Sequence, residues 1–107
     1  MTPLKDITSF ANEIAKRYSP ERIVLFGSHA TKQSRDFSDV DLLVVMNYEG
    51  SSASIATDIR LNIPFHHPLD LLVRKPDDVR SRLEQHDFFL KEIFDTGIVL
   101  FDINSSL

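Results

Sequence analysis

The sequence contains no cysteine in its 107 residues. Disulfide frameworks and thiolate zinc sites are therefore excluded, and the composition suits a reducing compartment such as the cytoplasm. It has no long hydrophobic run either. Its apolar stretches are a few residues long, far short of the ~20 needed to cross a bilayer, so no membrane contact is expected. The opening MTPLKDITSF lacks the basic-then-apolar order of a secretory signal. A surplus of positive charge is missing as well: 12 Lys and Arg against 16 Asp and Glu leave a net charge of −4. That disfavours a general nucleic-acid binder, and no direct nucleic-acid binding is expected. Repeats, low-complexity segments and linkers are absent, which predicts one domain over residues 1–107.

Several ligand motifs are absent too. Neither the Gly-x-x-x-x-Gly-Lys phosphate loop nor the Gly-x-Gly-x-x-Gly dinucleotide fingerprint occurs. Around Asp36 the glycine and terminal glutamate of an EF-hand are missing.

What is present reads as alternating helices and strands. Leu4, Ile7, Phe10, Ala11, Ile14 and Tyr18 recur at helical spacing and predict a helix from Leu4 to Tyr18. The β-branched run RIVLF, Arg22 to Phe26, predicts a buried strand, and Gly27-Ser28 leads into one or two helical turns over His29–Gln33. DVDLLVVM, Asp39 to Met46, is the clearest strand. SSASIATDIRLNI reads as a helix capped by Ser51 or Ser52. HHPLDLLV, His66 to Val73, reads as a strand with Pro68 near its start or on an edge. Pro76 followed by acids opens a helix, DFFLKEIFDTG forms another closed by Gly97, and IVLFDI is a last strand. The predicted fold class is α/β (α+β), a mixed sheet of about four strands flanked by helices.

The acids at the mouth of the clearest strand call for an explanation. Strand side chains alternate between faces, so Asp39 and Asp41 share one, with α-carbons ~6.6 Å apart. Two carboxylates side by side repel, and no Lys or Arg lies within the strand to offset them. A divalent cation would: Mg²⁺ prefers oxygen ligands, commonly one or two carboxylates plus substrate phosphates. Asp70 is a third acid, set in the apolar run PLDLLV. If its strand lies beside that of Asp39 and Asp41, all three converge, enough for two metal ions. Asp70 is also placed to take a proton from an incoming hydroxyl. Taken alone, an Asp-x-Asp at a strand start is most often solvated, and a lone strand Asp often pairs with an arginine, here Arg60 or Arg74.

Gly27 and Ser28 shift that balance. Glycine permits close backbone approach, and the amides that open a helical turn together with the Ser28 hydroxyl can bind an anion. Phosphate donors on one loop and metal-binding acids on the next strand together suit a nucleoside triphosphate.

FGS, ten residues, then DVDLLV resembles the nucleotidyltransferase pattern of the DNA polymerase β superfamily. In that pattern Gly-Ser corresponds to Gly27 and Ser28, the paired acids to Asp39 and Asp41, and the third acid to Asp70. Ser38-Asp39 and the ending FFLKEIFDTGIVLF resemble the minimal nucleotidyltransferases, the MntA-like antitoxins of HEPN/MNT toxin–antitoxin systems. The likeness spans almost the whole chain. It departs at Thr31 and Lys32, where the family often has Arg and Gly. The resemblance implies a polymerase β-like fold. It also implies Mg²⁺, with two ions held by Asp39, Asp41 and Asp70, ATP as substrate, and transfer of AMP with pyrophosphate leaving. The acceptor it implies is a tyrosine of a HEPN-domain ribonuclease toxin, silenced by the modification. Two rivals stand beside it: transfer to a small-molecule hydroxyl, and neutralisation of the partner by binding alone. A 107-residue chain has little left for an acceptor pocket of its own, so another macromolecule is expected to bring the acceptor.

The remaining polar residues read as surface. His66 and His67 are adjacent and would face opposite ways on a strand, and Arg80, Arg82 and Lys91 read as a solvated helix face. Arg74 and Lys75 read as a solvated strand end, with phosphate contact the alternative, and Phe88, Phe89 and Phe94 as core, with contact of one of them to a partner the alternative.

Overall fold

The computed structural model describes residues 2–32 and 39–105. Helix α1 (Leu4–Tyr18) matches its sequence bounds and buries Ile7, Phe10, Ala11 and Ile14 on one side. Asp6 in its first turn and Lys16 and Arg17 in its last complement the helix dipole, and Ser19, in a left-handed conformation, ends it. Strand β1 (Arg22–Phe26) leads into a 3-10 turn at Gly27–His29, and β2 spans Val40–Val45. Helix α2 (Ser52–Asn62) is capped by Ser51, whose hydroxyl accepts the Ser54 amide at 3.0 Å. Strand β3 (Leu69–Arg74) is followed by α3 (Pro76–Glu84), α4 (Phe88–Thr96) and β4 (Ile98–Asp102).

The four strands form one sheet in the order β3-β2-β1-β4. β1 pairs antiparallel with β2 and with β4, while β2 and β3 run parallel, joined through α2. A parallel pair needs such a crossover. Alternation divides the apolar residues between the two faces. Ile23, Leu25, Leu42, Val44, Leu71 and Val73 pack with the buried sides of α1 and α2. Val24, Phe26, Leu43 and Val45 pack with Val79 of α3 and Leu90 and Ile93 of α4. The mixed four-stranded sheet with helices on both faces is the fold class expected from the sequence.

Three expectations are corrected. β3 begins at Leu69, not His66: Pro68 has no amide to donate, and its carbonyl instead accepts the Val40 amide at 2.9 Å, so the ladder starts after it. The helical turn after β1 begins at Gly27, two residues early, and the expected end at Gln33 lies outside the described residues, as do Asp36 and Ser38. Finally, Phe88 and Phe89 are 84% and 54% exposed. Each helical residue turns ~100°, so Phe88 lies on the far side of α4 from Leu90 and points to solvent, whereas Phe89, one turn before Ile93, stays at the margin of the sheet-facing side, edge-on to Phe26 at 5.9 Å and half in water. Phe94 does pack against that core, with the Arg22 guanidinium 5.4 Å above its ring.

Candidate active site

Three strands set their site residues in one row. Phe26 of β1 lies opposite Asp41 of β2, and Asp41 lies opposite Asp70 of β3. Ladder partners project to the same side, here the α3/α4 side, because Val40, Leu42 and Val44 fill the other core. Asp39 stands immediately before β2, close enough for its charge to act on Asp41. The expected adjacency of the Asp70 strand to the Asp39–Asp41 strand is therefore present.

The electrostatics of Asp41 record this crowding. Its carboxyl titrates above the ordinary aspartate value, chiefly because it is partly buried, then because Asp70 and Asp39 repel its charge, while His29 pulls the other way. Neither arginine considered for Asp70 reaches it. Arg60 donates to the Leu69 carbonyl at 2.7 Å, and Arg74 to the Ser52 hydroxyl at 3.0 Å and the Val73 carbonyl at 2.8 Å. Among the described residues, no Lys or Arg forms an ion pair with any of the three acids.

Gly27 is required by its neighbour. Its φ is +74°, and a β-carbon there would collide with Oδ2 of Asp41 and lie 3.3 Å from its Cγ. The glycine thus lets the carboxylate stand against the turn, a contact between segments that sequence spacing alone does not reveal. Ser28 follows, partly exposed, and its hydroxyl makes no hydrogen bond among the described residues. The departure at Lys32 leaves the backbone in the conformation glycine favours: its φ is +61°, in the left-handed region.

The donor set is all oxygen, which suits Mg²⁺. Among the described residues, no group of three or more His, Asp or Glu side chains is placed to hold a metal ion, so the expected three-acid metal set is not assembled as such. Mg²⁺ does not need such a group, because it commonly takes one or two carboxylates and completes its shell with phosphates and water. Asp39 and Asp41 fit that role, with Asp70 beside them.

Sequence reasoning missed His29. Both ring nitrogens are buried with no hydrogen-bond partner among the described residues, next to the Asp41 carboxylate. Its place directly after Gly27-Ser28 was the one available signal. By contrast Arg80, Arg82 and Lys91 are tied to Asp77, Asp78 and Asp95 on exposed helix surfaces, as expected. Lys75 lies 5.1 Å over the Tyr48 ring, and His67 bonds Asp6 at 3.0 Å.

Comparison with known proteins bears on the fold and the family. Two solved structures share the fold. One is a protein from Sulfolobus solfataricus assigned as a nucleotidyltransferase, with 18% identity over 97% of this chain and 84% of that one, at a TM-score of 0.65. The other is a toxin–antitoxin solved with AMP-PNP, with 18% identity over 89% of this chain and 73% of that one, at a TM-score of 0.60. Among curated proteins, none matches this sequence. The profile of the family described as polymerase beta, nucleotidyltransferase matches residues 10–106. The protein belongs to the polymerase beta nucleotidyltransferase family.

Proposed function

We propose that this nucleotidyltransferase is an antitoxin that transfers AMP from ATP to a tyrosine of a HEPN-domain toxin. The observation that carries the chemistry is the cluster of Asp39, Asp41 and Asp70, without cationic partners among the described residues, against the Gly27-Ser28 turn. The choice of partner rests on the family resemblance, and the toxin–antitoxin neighbour supports it.

In this reading the Ser28 hydroxyl and the first amides of the 3-10 turn, which have no carbonyl partner within it, hold phosphate oxygens. Asp39 and Asp41, with Asp70 beside them, would hold Mg²⁺, which neutralises phosphate charge as it builds up. Asp70, on the exposed edge of the row, accepts the proton of the attacking hydroxyl. A new bond forms between that oxygen and the α-phosphorus, the α–β bridging bond breaks, and pyrophosphate leaves. A tyrosine suits the recess because its hydroxyl stands far from its backbone and its pKa of about 10 puts deprotonation within reach. The product is a negatively charged phosphodiester on the toxin, which would repel RNA phosphates.

The test is intact-mass analysis of a co-expressed HEPN partner, beside the same partner expressed with the Asp41→Asn variant. A mass gain of nucleotide units with the wild-type chain alone is expected. An unmodified yet inhibited partner would replace this reading with neutralisation by contact. Label transferred from ATP to a small molecule alone would favour the small-molecule acceptor.

A further inference from the structure

Beside the acid row, between the Gly27–His29 turn and α4, lies a cleft of about 370 Å³. Phe26 forms part of its wall, and Phe26 is the ladder partner of Asp41, so the cleft adjoins the carboxylates. Gly27 and Ser28 line it as well. Phe89 lies across it, 5.9 Å from the Phe26 ring and edge-on to it, with half its surface in water. An aromatic ring exposed at the wall of a cleft is out of place as core and well placed as a stacking surface.

The charge of the cleft restricts its occupant. Among the described residues that line it there is no Lys or Arg, and Glu92 is its one ionised side chain. The Glu92 carboxylate has no hydrogen-bond or ion-pair partner there, since only its backbone carbonyl is engaged, by the Thr96 hydroxyl at 2.8 Å. Phosphate is disfavoured on the α4 side of the cleft, beside Glu92, and falls to its Gly27-Ser28 edge next to the acids. A flat, uncharged ring with an N–H₂ group meets both demands: its face stacks on Phe89, and its amino group donates to Glu92.

We propose that this cleft is the nucleobase pocket of the site, with Phe89 as the stacking platform and Glu92 as the acceptor that selects an amino-bearing base. The proposal rests on the nucleotidyltransferase reading above and adds to it the residues that choose the nucleotide. The volume accommodates a purine, and ATP carries the required 6-amino group while inosine triphosphate has a 6-oxo group in its place.

Calorimetric titration in Mg²⁺ with ATP, inosine triphosphate and inorganic triphosphate tests it, on the wild type, Phe89→Ala and Glu92→Gln. Phe89 is half in water and Glu92 is exposed, so both variants are expected to fold, which circular dichroism checks. The wild type is expected to bind ATP more tightly than either probe. Phe89→Ala should weaken ATP by about tenfold, the scale of one base–aromatic stack, and leave inorganic triphosphate unchanged. Glu92→Gln should narrow the preference for ATP over inosine triphosphate, because an amide both accepts and donates. Equal wild-type affinity for ATP and inorganic triphosphate would overturn the pocket while leaving the transferase reading intact. So would Phe89→Ala weakening both alike or neither. Failure of the wild type to bind ATP at all would overturn the transferase reading, and the pocket with it.

Discussion

The two faces of the sheet use the same strands for opposite purposes. On the α1/α2 side, Ile23, Leu42, Val44 and Val73 are fully buried and wholly apolar. On the α3/α4 side the same strands carry an apolar core at Val24, Leu43 and Val45, and, where β2 and β3 begin and β1 ends, carboxylates and a glycine turn. A one-residue step along β2 moves a side chain from one regime to the other, since Leu42 and Asp41 are neighbours in sequence. The first face gains from every methylene it removes from water. The second holds like charges close together at some cost, and that cost is expected to be recovered when cation and nucleotide arrive. The α1/α2 side thus serves packing alone while the α3/α4 side joins a second core to the proposed site, and substitutions at the two should read out differently.

The largest effect is expected on the apolar face. Ile23→Ala removes a fully buried side chain from the middle of the sheet and should cost about 2–5 kcal/mol, by lost burial plus the cavity left behind. Urea unfolding measures it. Transfer per folded molecule should stay within about threefold of wild type, because Ile23 points away from the acids. A loss below about 1 kcal/mol would mean the face repacks, and the contrast between the two sides would fail.

The mirror-image experiment is the pair Asp39→Asn and Asp41→Asn. It keeps shape and removes two charges from the proposed metal-binding set, so transfer should fall by at least ~10²-fold, since metal and positioning supply most of phosphoryl-transfer catalysis. The unfolding midpoint should not drop, because no cavity opens and a repulsion is relieved. Near-wild-type transfer by this double variant would remove these acids from the chemistry.

The two sides also differ in how far they are legible in the sequence. The bounds of α1 and β1 and the cap at Ser51 follow from periodicity and from the chemistry of adjacent residues, which a local reading captures. The acids stand out because charge at the mouth of an apolar run conflicts with its surroundings. What stays hidden depends on contacts between distant segments. Pro68 marks the start of β3, an edge strand, but not that His66 and His67 lie outside it. Phe88 and Phe89 look like core until the facing side of α4 is known. Gly27 looks like a glycine kept for phosphate, whereas the structure shows the Asp41 carboxylate occupying the space a side chain would need.

That last contact gives an intermediate effect. Gly27→Ala forces an alanine into a left-handed conformation and drives its β-carbon into the Asp41 carboxylate. The backbone term alone is about 1–2 kcal/mol. Displacing the carboxylate should further lower transfer by roughly tenfold, on the scale of a misplaced positioning group. Repeating the substitution in an Asp41→Ala background separates the two: the backbone cost should persist and the collision should vanish. Equal costs in both backgrounds would show that the collision contributes nothing.

The smallest expected effect tests the cost on the acidic face directly. Asp41 titrates above the ordinary aspartate value because burial, then Asp70, then Asp39 disfavour its charged form. The folded protein therefore holds this proton more tightly than the unfolded chain does, and the sign follows from proton linkage. Stability falls as pH rises from the unfolded value of 3.8 through the raised folded value, and the deficit persists above it. Asp41→Asn carries no charge at any pH and escapes the deficit. Without metal at pH 8 it should be more stable than wild type, by less than about 1 kcal/mol because solvent screens this half-buried site. Near pH 3 the two should converge, because both carry a neutral side chain there. Millimolar Mg²⁺ should then raise the melting temperature of the wild type and move the variant less, since binding to the folded state alone adds stability by mass action. Thermal melts of both proteins at the two pH values, with EDTA and with Mg²⁺, make the measurement. A variant less stable than wild type in EDTA at pH 8 would mean that the Asp41 charge holds the fold together, and the division of labour between the two faces would be wrong.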